Sequence, residues 1–280
     1  MLFSALLAGA FAVGIISVFF PNLNPLNTIS PSTSPSNPNL THLREHISAQ
    51  TQDPSALKNN PRALMSTIED YADKRGHLMI FRKGKLDIVH EVLRSMPTPP
   101  KVIVEFGTYV GQSALGWGVI LKEIHGGDCD GDGVKEKGCK VYTFEQNPEL
   151  VKMSREVIEL AGLSDIVTVI EGTAAEGLRG LVAGGRVQPG SVDMVFIDHW
   201  EKYYLPDLRV CEELGVLRMG SLVVADNTDK PGAPTYLEYV RAGGVEGGVR
   251  YETKTYQSVA ERQGAPSAVE ISTVVDLGGK

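Results

Sequence analysis

The sequence predicts an open, doubly wound α/β sheet with mostly parallel strands, and three observations carry that reading. Short, nearly continuous apolar runs occur at 101–105, 140–145, 166–171, 192–198 and 221–226; strands covered on both faces read this way, whereas half-exposed strands alternate. Segments with helical apolar spacing lie between them, the alternation that builds strand–helix–strand units. Each run also ends on an acid, Glu105, Glu145, Glu171, Asp198 and Asp226 in turn. In open parallel sheets, ligands bind beyond the carboxyl ends of the strands, so acids repeated there mark a site rather than packing.

The chain of 280 residues opens with 20 that carry no charge, MLFSALLAGAFAVGIISVFF. A run of this length can cross a hydrocarbon core of about 30 Å. Residues 1–20 are therefore read as a membrane anchor, with a cleaved signal peptide and a secretory route as the alternative. The run continues past the small residues Ala8, Gly9 and Ala10, and no basic segment precedes it, which favours the anchor. No basic residue lies near either end (the first is Arg44), so orientation is not encoded. Residues 21–40 are dominated by Pro, Ser, Asn and Thr; they bury too little to offset their ordering entropy and read as a linker. One domain then occupies 41–280.

Within that domain, 41–50 or the helix after it begins the fold. Leu64, Ile68 and Tyr71 share a face in a helix over 62–74, and Leu86, Val89, Val92 and Leu93 do so over 85–96. The first strand runs into EFGTYVGQS, Glu105 to Ser113, where Gly107 and Gly111 allow a tight turn and close ligand approach, and a helix opens at Ser113. The spacing is not that of the dinucleotide fingerprint, which disfavours a dehydrogenase. Asn147-Pro148 is a helix start, and Gly162 ends the helix whose apolar face is Leu150, Met153, Val157 and Ala161. A further helix covers 204–214. The runs 251–259 and 269–276 read as a final antiparallel pair.

The net charge of −7 argues against a nucleic-acid partner. Cys129 and Cys139 flank a short insertion and are read as free thiols or, in an oxidising compartment, as a pair. Asp128, Asp130, Asp132 and Gly133 resemble the start of a calcium loop, but the twelfth position is Cys139 where a bidentate Glu is needed, so the segment reads as a solvated acidic loop. Asp198 and Asp226-Asn227 end strands expected to be neighbours. Two carboxylates and an amide oxygen make a hard donor set suited to Mg2+. Glu145, at the second tip, is placed to accept hydrogen bonds from ribose hydroxyls.

Together, VDMVFIDHW at 192–200, YLPD at 204–207, ADNxxxPGAP at 225–234, ExGxYxGxS at 105–113 and ExNP at 145–148 resemble the catechol O-methyltransferase family, with similarity from about residue 64 to 261. The resemblance implies a Rossmann-like class I methyltransferase fold with a seven-stranded sheet of order 3-2-1-4-5-7-6, the last strand antiparallel. It implies S-adenosylmethionine and Mg2+ as cofactors, a small-molecule catechol or phenol as acceptor, and a monomer. Gly107, Tyr109 and Ser113 would hold the methionine part, with Glu105 and Gly172 at neighbouring tips. Glu145 would hold the ribose, His199 and Trp200 would flank the adenine, and Met79 would lie near the methyl donor. Asp198, Asp226 and Asn227 would bind Mg2+, Trp200 and Pro231 would wall the acceptor slot, and Glu261 would bind an acceptor hydroxyl.

Three positions depart from the family pattern. The family's lysine base follows the Trp of DHW directly; here Glu201 stands there and Lys202 follows, so either serves as base. Ala174-Ala175 replaces a polar pair near the adenine. His77 replaces a tryptophan at the substrate mouth, which would alter acceptor choice. The alternatives to a catechol enzyme are an O-methyltransferase for another diol or phenol, and a non-catalytic relative that binds S-adenosylmethionine without turnover.

Overall fold

The computed structural model describes residues 38–50, 56–75, 78–127, 129, 138–258 and 267–279. Residues 1–37, His77, Glu261 and the aspartates of the acidic insertion lie outside them, and with them the membrane-anchor, calcium-loop and two of the substrate-contact expectations. Among the described residues, no helix is long and apolar enough to cross a membrane.

Seven strands form one sheet in the order β3-β2-β1-β4-β5-β7-β6. They are β1 (Val102–Phe106), β2 (Lys140–Glu145), β3 (Val167–Glu171), β4 (Val192–Ile197), β5 (Leu217–Ala225), β6 (Arg250–Ser258) and β7 (Ser267–Asp276). The first five run parallel, and β7 pairs antiparallel with both β5 and β6. This is the fold and strand order that the sequence leads one to expect. The helices are α1 (Pro38–Gln50), α2 (Pro61–Lys74), α3 (Lys83–Arg94), α4 (Gln112–Ile124), α5 (Pro148–Leu160), α6 (Ala174–Ala183), α7 (Tyr204–Glu213) and α8 (Pro234–Arg241).

Side chains alternate across the central strands. Ile103, Met194, Phe196, Leu222 and Val224 pack into a core with α1 to α5 residues, among them Leu43, Leu64, Val89, Trp117 and Val157. Val104, Phe106, Val195, Ile197, Val223 and Ala225 point the other way, onto Leu178, Leu208, Tyr236 and Val240 of α6 to α8. A period of two on strands buried twice explains why these runs read as unbroken apolar stretches.

Local chemistry fixes the helix starts. Asn60 caps α2, its side chain accepting from Ala63 N, and Pro61 takes the first turn. Asn147 and Pro148 do the same for α5. Helix α1 begins at Pro38, inside the stretch read as linker. Two helices, α6 and α8, go beyond the sequence reading. The glycines Gly177 and Gly180 weaken the helical signal of α6; Gly177 is where a side chain would collide with the Phe144 ring, so the glycine lets α6 close on the sheet. Helix α8 is only eight residues long. Cys129 and Cys139 are joined as a disulfide, which decides between the two readings of that pair.

Candidate functional site

Along the carboxyl edge, backbone bonds step from strand to strand. Gly172 N donates to Glu145 O (2.9 Å), Gly107 N to Phe144 O (3.1 Å), Asp198 N to Phe106 O (2.9 Å) and Asp226 N to Ile197 O (3.1 Å). Ile197 and Ala225 are register partners, so Asp198 and Asp226 leave adjacent strands side by side. The tips of β3, β2, β1, β4 and β5 thus share one edge.

The loop after β1 is held in left-handed conformations at Gly107 (φ 103°), Tyr109 (φ 49°) and Gly111 (φ 89°). Gly107 is tightly enclosed: a Cβ there would lie 2.6 Å from Asp198 O. Glu145 ties the loop to β2, accepting from Tyr109 N through Oε2 (3.0 Å) and from Asn147 N through Oε1 (2.9 Å). Carboxylate oxygens have two lone pairs each, so both oxygens keep acceptor capacity for a ligand.

Glu105, expected at the cofactor, faces inward. It is fully buried and accepts from Trp117 Nε1 (2.8 Å) and from the Thr143 hydroxyl. Burial pushes its carboxyl up to about 7, against hydrogen bonds from Thr143, Ser113 and Trp117 that pull it down. Glu105 therefore braces the loop from behind. Between pH 4.5 and about 7 the native state keeps a proton that the unfolded chain has shed, so stability falls as pH rises through that window. A shift of this size corresponds to about 3 kcal/mol. Relative to Glu105→Gln, the wild-type protein is expected to lose about that much between pH 4.5 and 7.5, read by denaturant unfolding at each pH. Parallel pH profiles for the two proteins would contradict it.

At the other end of the edge, burial and then the charge of Asp226 hold the Asp198 carboxyl well above the ordinary carboxylate range. Lys85 pulls it back, while Glu105 and Glu201 push further. Asp226 is also raised, by burial, with Lys85 opposing. Lys85 reaches over from α3: its Nζ lies 2.8 Å from Asp226 Oδ1 and 2.6 Å from Oδ2, with both side chains buried. Asn227 follows in a left-handed conformation (φ 54°), uncommon for a residue with a side chain and frequent at functional sites. Acids crowded at raised affinity for protons are also a site that a small cation would relieve, and the oxygen donors suit Mg2+. Among the described residues, no group of three or more His, Cys, Asp or Glu converges as a metal cage, so any such ion depends on Asn227 and on exchangeable ligands.

The outer wall is aromatic. His199 stacks on Tyr204 (5.4 Å, 6°) and meets Phe106 edge-on, while its Nε2 bonds Asp207 Oδ2 (2.7 Å). Its buried Nδ1 has no hydrogen-bond partner among the described residues. Buried polar atoms are normally satisfied, so this one points to a ligand group. Trp200, two residues beyond Asp198, is 70% exposed, and Met79, ahead of α3, is 79% exposed. Pro231 is exposed in the Thr228–Gly232 turn after β5. Gly172 sits at the β3 tip with open space where a Cβ would be. Of the two residues read as candidate bases, Glu201 acts electrostatically on Asp198, whereas Lys202 is exposed and lies over the rings of Tyr203 (4.8 Å) and Trp200 (5.8 Å).

Lys85 is the site residue that sequence reasoning passed over. It stands four residues before Val89 and eight before Leu93, on the buried face of α3. A lysine in a core row is rarely buried without a partner acid, and that is the signal that identifies it.

Comparisons with known proteins show the family and the fold. A family model described as O-methyltransferase matches residues 91–236. The catechol O-methyltransferase of Bos taurus is 30% identical over 257 residues, 92% of this chain and 83% of its own. A Mus musculus protein named transmembrane O-methyltransferase homolog is 27% identical over 68% of this chain and 67% of its own. Among solved structures, the O-methyltransferase TomG of Streptomyces achromogenes, in complex with SAM, superposes with a TM-score of 0.55 at 19% identity, covering 84% of this chain and 99% of its own.

Proposed function

The chain belongs to the O-methyltransferase family, and from that premise we propose that it transfers a methyl group from S-adenosylmethionine to one hydroxyl of a catechol-like small molecule with the help of Mg2+. The observation that carries the proposal is the pairing of Asp198 with Asp226 at adjacent strand tips, beside a glycine loop anchored by Glu145.

In this reading, the loop from Gly107 to Ser113 receives the amino-acid end of the donor. Glu145 accepts from the ribose hydroxyls, and the unpartnered Nδ1 of His199 meets the adenine side. Asp198, Asp226 and Asn227 would hold Mg2+, which when bound would supply Lewis-acid chemistry toward the acceptor hydroxyl. Trp200, Met79 and Pro231 form an apolar wall that orients the acceptor ring and excludes water. Glu201 and Lys202 are both candidates for the proton acceptor: the charge of Glu201 reaches Asp198, and Lys202 lies over the ring of Trp200 at the acceptor wall.

The experiment is methyl transfer from isotope-labelled S-adenosylmethionine to a simple catechol, with Mg2+ and after chelation. Turnover with Mg2+ is expected, falling about a hundredfold on chelation, or roughly 2.7 kcal/mol of barrier. Tight donor binding by calorimetry without turnover of the catechol in Mg2+ would overturn the catechol reading, and turnover or its absence with other diols and phenols would separate an enzyme for another acceptor from a non-catalytic relative.

A further inference from the structure

We infer that Lys85 is a built-in counter-ion that occupies Asp226 in the metal-free protein and competes with a divalent ion for that carboxylate. The inference rests on reading Asp198, Asp226 and Asn227 as a cation site.

The geometry is that of a two-pronged ion pair. The Lys85 ammonium reaches both oxygens of Asp226, at 2.8 and 2.6 Å, and the two residues are 5% and 3% exposed. Its position is fixed by packing as well as charge. Nζ lies 5.1 Å from the centre of the Phe81 ring, and Phe81 is wedged against Trp117 and Phe196. Helix α3 holds the lysine through Leu86, Val89 and Leu93 on the same buried face. Lysine is a compact point charge, and in a poorly hydrated setting its field is screened little.

Charge counting gives the consequence. Asp226, Glu105 and Glu201 act on Asp198, Asp229 acts on Asp226, and among the described residues Lys85 is a cation that opposes both carboxylates. A divalent ion using Asp226 would sit within a few ångströms of the ammonium and be repelled by it. Entry therefore requires Lys85 to give up at least one Asp226 oxygen. The fold itself holds divalent affinity down, while sparing the metal-free protein an uncompensated pair of buried acids.

The test is calorimetric titration of MnCl2 and MgCl2 into the full chain as wild type, Lys85→Met, Lys85→Gln and Lys85→Arg. Methionine removes the charge at similar length, glutamine keeps a donor without charge, and arginine keeps the charge. The two neutral variants are expected to bind Mn2+ at least about tenfold more tightly than wild type, and the arginine variant to remain as weak as wild type. In thermal unfolding, Mg2+ should raise the Tm of the neutral variants more than that of wild type. Equal ion affinity in wild type and both neutral variants would overturn the role of Lys85 while leaving the metal site standing. If none of the four takes up either ion although S-adenosylmethionine still binds, the metal site falls and the inference with it. Neutral variants that stay unfolded at high Mg2+ would show Lys85 to be a structural pair only, which also overturns it.

Discussion

Asparagine at position 198 is expected to abolish methyl transfer and to stabilise the protein. Asp198→Asn is nearly isosteric and leaves the strand-tip backbone bond from residue 198 to Phe106 O in place. It removes one of the two carboxylates whose charge would bind the ion and polarise the acceptor. A loss of about a thousandfold or more in kcat/KM is expected, in line with removal of a principal electrostatic contributor. Stability should move the other way. The Asp198 carboxyl is driven well above its ordinary range first by burial and then by Asp226, so its charged form is under strain in the fold. Neutralising it relieves that strain, and Tm in the absence of divalent ions should rise, a trade of stability against activity common at functional sites. The donor should still bind within a few-fold of wild type, because the glycine loop and Glu145 are untouched. Full activity in this variant would remove Asp198 from the catalytic centre; a lowered Tm would contradict the electrostatic account.

The second large effect concerns Gly107. With φ at 103° and a would-be Cβ 2.6 Å from Asp198 O and 2.9 Å from Asp198 C, the position tolerates no side chain. The obstacle is backbone, so no rotamer change relieves it, and Gly107→Ala must pull the loop away from the β4 tip. The cost is expected at about 3 kcal/mol or more, combining left-handed strain with the collision. For a domain of this size that is a fall in Tm of roughly 6–12 °C. Because the same contact holds the loop against Asp198, donor affinity should collapse as well. Gly180→Ala, a control on exposed α6 with open space around its would-be Cβ, should be neutral or slightly stabilising. Equal Tm values for the two alanine variants would show that the loop is looser than the structure indicates.

Much of the fold was legible because its strands are buried on both faces. The runs at β1, β2 and β4 are mostly apolar for a reason of packing, and Glu145, Asp198 and Asp226 stand at or just past the ends of their strands. Helix α5 announces itself through its Asn-Pro start, and α2 through the helical spacing of Leu64, Ile68 and Tyr71. What escaped has physical causes too. Helix α6 carries Gly177 for close approach to Phe144, and that glycine together with Gly180 hides its helical signal. β5 begins at Leu217, earlier than the apolar run, because Arg218, Met219 and Gly220 interrupt the pattern while Arg218 pairs with Asp193. At the site, the strand-tip acids were visible as a series. Lys85 was not, because it belongs to a helix far away in sequence, and only the fold brings it 141 residues across to Asp226. Glu105 was visible as an acid, but its inward engagement with Trp117 and Thr143 depends on contacts that no local pattern encodes.

The bonds from Tyr109 N and Asn147 N to the two oxygens of Glu145 bear on kinetics as well as on shape. A loop already moulded by the chain's own acid has surrendered its freedom during folding, so little remains to be lost when a nucleoside arrives. On the proposed donor-binding role of this loop, capture would resemble a key entering a finished lock, with the receiving backbone expected to differ little between the free and the loaded protein.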